Sequence, residues 1–134
     1  MTLFFRVILF ILALPPAVSP SQSTLPKHQP MAMSLECAAN DCPLLKGLPQ
    51  IAGIRSGFVR LKTGESVGWH TTGRNEETLV ILHGKSEAEI EGESAMAVTE
   101  TMAAYIPPGT RHNVKNTGDG LLEYVYVVAR AAEK

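Results

Sequence analysis

From Ile54 onward the chain alternates apolar and polar residues in short runs, and Gly or Pro punctuates most of the breaks. Alternation with period two is the pattern of strands that bury one face. The runs IRSGFVRL, SVGWH, ETLVILH, SEAEIE, SAMAVT, AAYIP, HNVKN and LLEYVYVVAR each read as a strand. Gly84-Lys85, Glu91-Gly92-Glu93, Pro107-Pro108-Gly109 and Thr117-Gly118-Asp119-Gly120 supply turns between them. No helical period competes. The expectation is an all-β fold, a small antiparallel β-barrel or jelly roll. Only 6% of residues are aromatic, so the core must rest on Val, Ile, Leu and Ala.

Three residues able to bind a metal fall in or beside these runs: His70, Glu77 and His112. Imidazole supplies neutral nitrogen and glutamate anionic oxygen. Two His and one carboxylate on one side of an ion leave open positions opposite, as in non-haem Fe(II) oxygenases. Period two places Thr72 on the face of His70, Leu79 and Ile81 on the face of Glu77, and Val114 on the face of His112. These, with Arg111 beside His112, are the expected pocket residues. Glu76 has the wrong parity to replace Glu77. His83 has the right parity but lies six residues on, roughly 20 Å along a strand. The row Glu87, Glu89, Glu91, Glu93 reads as a solvated face that also guards an edge strand from pairing.

These residues resemble the two cupin motifs. The first, G-x5-H-x-H-x4-E-x6-G, is met by Gly64, His70, Glu77 and Gly84, with Thr72 where the second His would stand. The second, G-x5-P-x-G-x2-H-x3-N, is met by Pro107, Gly109, His112 and Asn116, with Thr101 for its leading Gly. The resemblance covers about residues 54–130, taken as the barrel domain. It implies a divalent ion, Fe, Mn, Zn or Cu, held by His70, Glu77 and His112. It also implies a small-molecule ligand, as in a dioxygenase or isomerase, and copies that pair as a homodimer. The alternative is a metal-free module that binds a sugar or other small ligand without catalysis, since one fold hosts many activities.

Residues 1–23 have Arg6, the apolar run VILFILAL and then a small, Pro-rich stretch, the order of a secretory signal peptide. The run is short for a ~20-residue membrane span; the competing reading is an uncleaved anchor. The expectation is an exported protein, periplasmic or extracellular, with no stable span after cleavage. Residues 24–53 read as an arm, in which 43–53 either packs over the barrel or forms a first strand near Gln50 to Ala52. Cys37 and Cys42 flank the turn residues Asn40-Asp41, and export favours a disulfide there over free thiols or metal ligands. Residues 131–134 form a tail. A net charge of -1 gives no basic footprint for nucleic acid.

Overall fold

The computed structural model describes residues 28–132. The signal peptide expected over residues 1–23 lies outside the described residues. Among these there are eight strands: β1 (Asp41–Lys46), β2 (Arg55–Leu61), β3 (Asn75–His83), β4 (Lys85–Ile90), β5 (Met96–Thr99), β6 (Ala103–Ile106), β7 (His112–Asn116) and β8 (Leu122–Arg130). No helix among them is long and apolar enough to cross a membrane.

The strands form two antiparallel sheets. One has the order β1-β2-β8-β3-β6, the other β5-β4-β7. Alternate residues of both sheets meet in one core. Val59, Leu61, Leu79, Ile81, Ile106, Leu122 and Tyr124 come from the large sheet, and Ala88, Val98 and Val114 from the small one. Each fully buried Leu or Ile contributes roughly 1.5–3 kcal/mol through removal from water.

Three expectations need correction. The arm contains a strand, but it is β1, and Gln50 to Ala52 lie in the turn that follows. Pro43 in DCPLLK looks like a strand breaker. It is tolerated because β1 is an edge strand, where a missing N–H breaks no ladder. The pairing of β1 with β2 shifts register between Pro43 and Leu45. The run SVGWH is not a full strand either. It touches β7 through isolated bridges, Ser66 with Lys115 and His70 with His112. Gly68 sits between those bridges at φ 86°, a left-handed conformation that interrupts a ladder. Finally, β4 is the central strand of its sheet, so its glutamate row guards no edge. Glu89 instead accepts a hydrogen bond from Asn113 Nδ2 at 2.6 Å.

Cys37 and Cys42 are joined in a disulfide just before and within β1. Arg60 reaches back to the same segment, donating to the Cys37 carbonyl at 3.3 Å. The arm is thereby fastened to β2.

Candidate metal centre

Glu77 pairs with Val128 of β8 and Ile106 of β6, which places it in the middle of the large sheet. The alternation of β3 turns its side chain inward, where it is 5% exposed. Glu76 points the other way and accepts a hydrogen bond from Tyr105 Oη at 2.9 Å. His112 opens β7 after the Pro107-Pro108-Gly109 turn. Gly109 is at φ 75°, and its N–H is bonded to the Gly73 carbonyl. The turn therefore ties the loop before β3 to the loop before β7, and so brings their ligands together.

His70 and His112 face one another as an antiparallel pair, each N–H donating to the other's carbonyl at 2.9 Å. Their rings lie 4.3 Å apart, tilted by 56°. The two imidazoles repeat one local arrangement. His70 Nδ1 is 2.9 Å from the Gly68 carbonyl, and His112 Nδ1 is 3.1 Å from the Thr110 carbonyl. A carbonyl can only accept, so each Nδ1 carries a proton, and in the neutral ring Nε2 keeps its lone pair. That is the tautomer a metal requires, fixed from behind by backbone.

One ligand atom from each of His70, Glu77 and His112 lies within 4.8 Å of the others. His112 Nε2 is 3.3 Å from Glu77 Oε2. Metal bonds of about 2.0–2.2 Å hold two ligands at most about 4.4 Å apart. The remaining gap closes with a small swing of His70, the exposed member of the set. His112 and Glu77 are nearly sealed from water, and neither His112 Nε2 nor Glu77 Oε2 has a well-directed hydrogen bond. The Glu77 carboxylate holds the His112 imidazole above the usual histidine value. Burial opposes this, and the Thr110 carbonyl adds to it.

Thr72, at the position of a fourth ligand in the motif, lines the adjacent cavity. Its hydroxyl is turned to the loop and donates to the Asn75 carbonyl at 2.8 Å, while Asn75 Nδ2 returns a bond to the Thr72 carbonyl. Val114 also lines the cavity. Leu79 and Ile81, expected there, lie deeper in the hydrophobic core, each 1% exposed. Arg111, also expected there, is held outside: its guanidinium donates to Glu91 at 2.7 Å and lies over the Trp69 ring at 5.3 Å. His83 pairs with Glu100 at 3.0 Å, away from the set. Asn116 binds backbone, donating to the Leu61 and Gly120 carbonyls and accepting from Gly118 N–H.

The cavity has a volume of about 470 Å³ and reaches both His70 and Glu77. Sequence reasoning missed much of its lining: Asp41 and Lys46 of β1, Arg55 of β2, Tyr124 and Tyr126 of β8. The parity rule applied to IRSGFVRL and LLEYVYVVAR would have put Arg55 and Val59, and Tyr124, Tyr126 and Val128, on one face each. Tyr126 depends on its cross-strand partner Gly57. A Cβ at Gly57 would stand 2.5 Å from the Tyr126 ring, so the ring lies over bare backbone. Burial, with Asp41 and Glu77 nearby, keeps the Tyr126 phenol above its ordinary value. Tyr124 is pushed higher still, mainly by burial.

Two facing antiparallel sheets, with a His–Glu–His set at the end of the cavity between them, define a small β-barrel with a candidate metal centre. The chain belongs to the cupin family, whose Cupin domain matches residues 57–128. Its fold is similar to that of a Bacillus halodurans protein, at TM-score 0.67 and 20% identity, covering 79% of this chain and 85% of that one. A cupin protein from Bacteroides fragilis is similar at TM-score 0.63 and 20% identity, covering 80% and 87%. The cupin domain of Cnp3 from Schizosaccharomyces pombe is similar at TM-score 0.61 and 21% identity. That match covers 68% of this chain, which spans 64% of that one. A predicted oxalate decarboxylase from Thermotoga maritima gives TM-score 0.54 at 25% identity, covering 57% and 66%. No curated protein matches the sequence significantly.

Proposed function

We propose that this protein is an exported cupin that holds a divalent ion through His70, Glu77 and His112 and acts on a small organic molecule in the adjoining cavity. The reaction class that fits is oxygenation or isomerisation. The observation that carries the reading is the buried couple of Glu77 Oε2 and His112 Nε2, both lacking well-directed hydrogen bonds. Buried polar atoms of this kind are costly unless something satisfies them. A cation held by Glu77, His112 and His70 would do so. The predicted oxalate decarboxylase that the fold resembles supports a reactive rather than a purely structural site.

A bound divalent ion supplies Lewis acidity or, if redox-active, oxygen chemistry at the open positions. The chain's own groups do the rest. Glu77 contributes the negative charge that offsets the ion. The Gly68 and Thr110 carbonyls hold the two imidazoles in place. Val67, Val114 and Val128 give the neighbouring cavity part of its apolar wall. Tyr124 and Tyr126 keep their phenolic protons at neutral pH, so each offers a hydrogen-bond donor to a ligand. The signal-like start and the Cys37–Cys42 disulfide support export, because disulfides persist in oxidising compartments.

A second reading has its own observation. At 3.3 Å a proton on His112 can neutralise Glu77 without any metal, leaving a non-catalytic binding module. Metal analysis of untagged protein, followed by an oxygen-uptake screen, separates the two. The parent and His83→Ala should retain close to one ion per chain, and His112→Ala should lose most of it. Metal-free parent, or full retention in His112→Ala, would favour the binding module.

A further inference from the structure

The cavity has a polarity of its own, apart from the metal ligands. Strand register makes this visible. Lys46 pairs with Arg55, Arg55 with Val128, and Val128 with Glu77. The four form one rung across β1, β2, β8 and β3, and all four line the cavity. Four residues further along β2, Asp41 pairs with Val59, which pairs with Tyr124. Those three also line the cavity. Arg55 and Val59 are four residues apart, about 13 Å along the strand. The cavity therefore has a cationic end level with Glu77 and an anionic end at Asp41. Between them lie Tyr126, flat over Gly57, and the valine walls.

Neither Lys46 nor Arg55 has an ion-pair partner among the described residues, although Asp41 shares their cavity. The Arg55 stem runs beside Gly47, where an added Cβ would stand 3.4 Å from its Cγ. Arg55 and Glu77 stand two strand spacings apart, about 10 Å. That is a backbone separation, and both side chains line the one cavity, so a planar acid group entering it can meet the guanidinium fork and the metal position together. A guanidinium matches a carboxylate with two parallel hydrogen bonds.

We propose that the cavity selects a small monocarboxylic acid with an apolar body. Its carboxylate sits between Arg55 with Lys46 and the His70–Glu77–His112 set, and its body lies on Tyr126 and Val59. Asp41 excludes a second acid group at the far end. The proposal deepens the reading above, in that acid group and metal share one rung. Lys46 and Arg55 both lie outside the residues that match the family, 57–128. The selectivity thus comes from β1 and the first residue of β2, not from the shared barrel.

Calorimetric titration of the purified protein with hexanoate, hexanamide, adipate and phenyl phosphate tests this. Hexanoate should bind at least about tenfold tighter than hexanamide, the scale of one charge-assisted pair. Adipate should bind more weakly than hexanoate, and Asp41→Asn should narrow that difference. Arg55→Gln should lose about tenfold for hexanoate at unchanged metal content, with Arg55→Lys between it and the parent. Arg55 is exposed, and circular dichroism checks that the variants remain folded. The proposal is overturned if hexanamide binds as well as hexanoate, if no carboxylate binds, or if folded Arg55→Gln binds hexanoate like the parent. Tighter binding of phenyl phosphate than hexanoate overturns the carboxylate assignment. Arg55-dependent binding in a chain that takes up no metal would sink the metal reading alone.

Discussion

Thr101 shows how one residue departs from its motif and what that costs. The position usually holds Gly, and here a β-branched side chain sits at φ 67°, with its N–H bonded to the Ile81 carbonyl. Left-handed backbone is a strained state for Thr. Thr101→Gly should therefore raise stability by about 1 kcal/mol, the strain removed less the entropy glycine adds. Urea denaturation checks it, and an unchanged or lower midpoint would show that the Thr101 side chain contributes more than it strains. Thr72 is a second departure. Its hydroxyl is spent on the Asn75 carbonyl, so it offers an ion little. Thr72→His should tighten binding of Mn(II) by adding a fourth ligand, a third nitrogen, beside the set, as competition with a fluorescent chelator would report. Equal affinity would mean that position 72 does not face the ion. The motif resemblance pointed to His70, Glu77 and His112 because Glu77 and His112 belong to strands that alternate regularly, while His70 meets His112 only through a single bridge. Arg55 and Lys46 were not singled out, because their role depends on register between strands far apart in sequence.

At the scale of elements, β1 carries the feature least legible beforehand. Pro43 and the register shift after it disguise the strand, and its pairing with β2 exists only in the fold. The strands from β2 to β8 were legible because alternation and turns agreed along each of them. The small sheet's order β5-β4-β7 was not, since a glutamate row looks the same on a central strand as on an edge. The disulfide fastens β1 by closing a short loop, which limits its contribution to about 2 kcal/mol. Cys37→Ser, or reduction, should lower stability by no more than about that amount. Hydrogen exchange should then accelerate at the amides of β1 while β3 and β8 stay protected. Uniform acceleration across β3 and β8 would show that the arm supports the whole barrel. Because β1 supplies Lys46, the same change should weaken hexanoate binding while leaving metal content intact.

For the whole molecule, metal, proton and fold are linked through His112. Glu77 raises its affinity for a proton in the folded chain. A group whose folded pKa lies above its unfolded value stabilises the fold below the unfolded value. That contribution is lost as pH rises through the folded value. The metal-free protein should therefore lose stability from this group as pH rises above about 6.5, the ordinary histidine value. The metal-loaded protein should show the opposite trend, because a proton competes with the ion for Nε2 and metal binding releases it. Thermal melts of both forms across that rise in pH should cross, and His112→Gln should abolish the difference in slope. Parallel curves would mean that no ion bears on His112. The candidate centre itself is tested most directly by an anomalous difference map from crystals soaked in Mn(II). A single peak within about 2.0–2.3 Å of His70 Nε2, His112 Nε2 and a Glu77 carboxylate oxygen is the expected result. A map with no peak there, and the His112–Glu77 pair still at 3.3 Å, would contradict it.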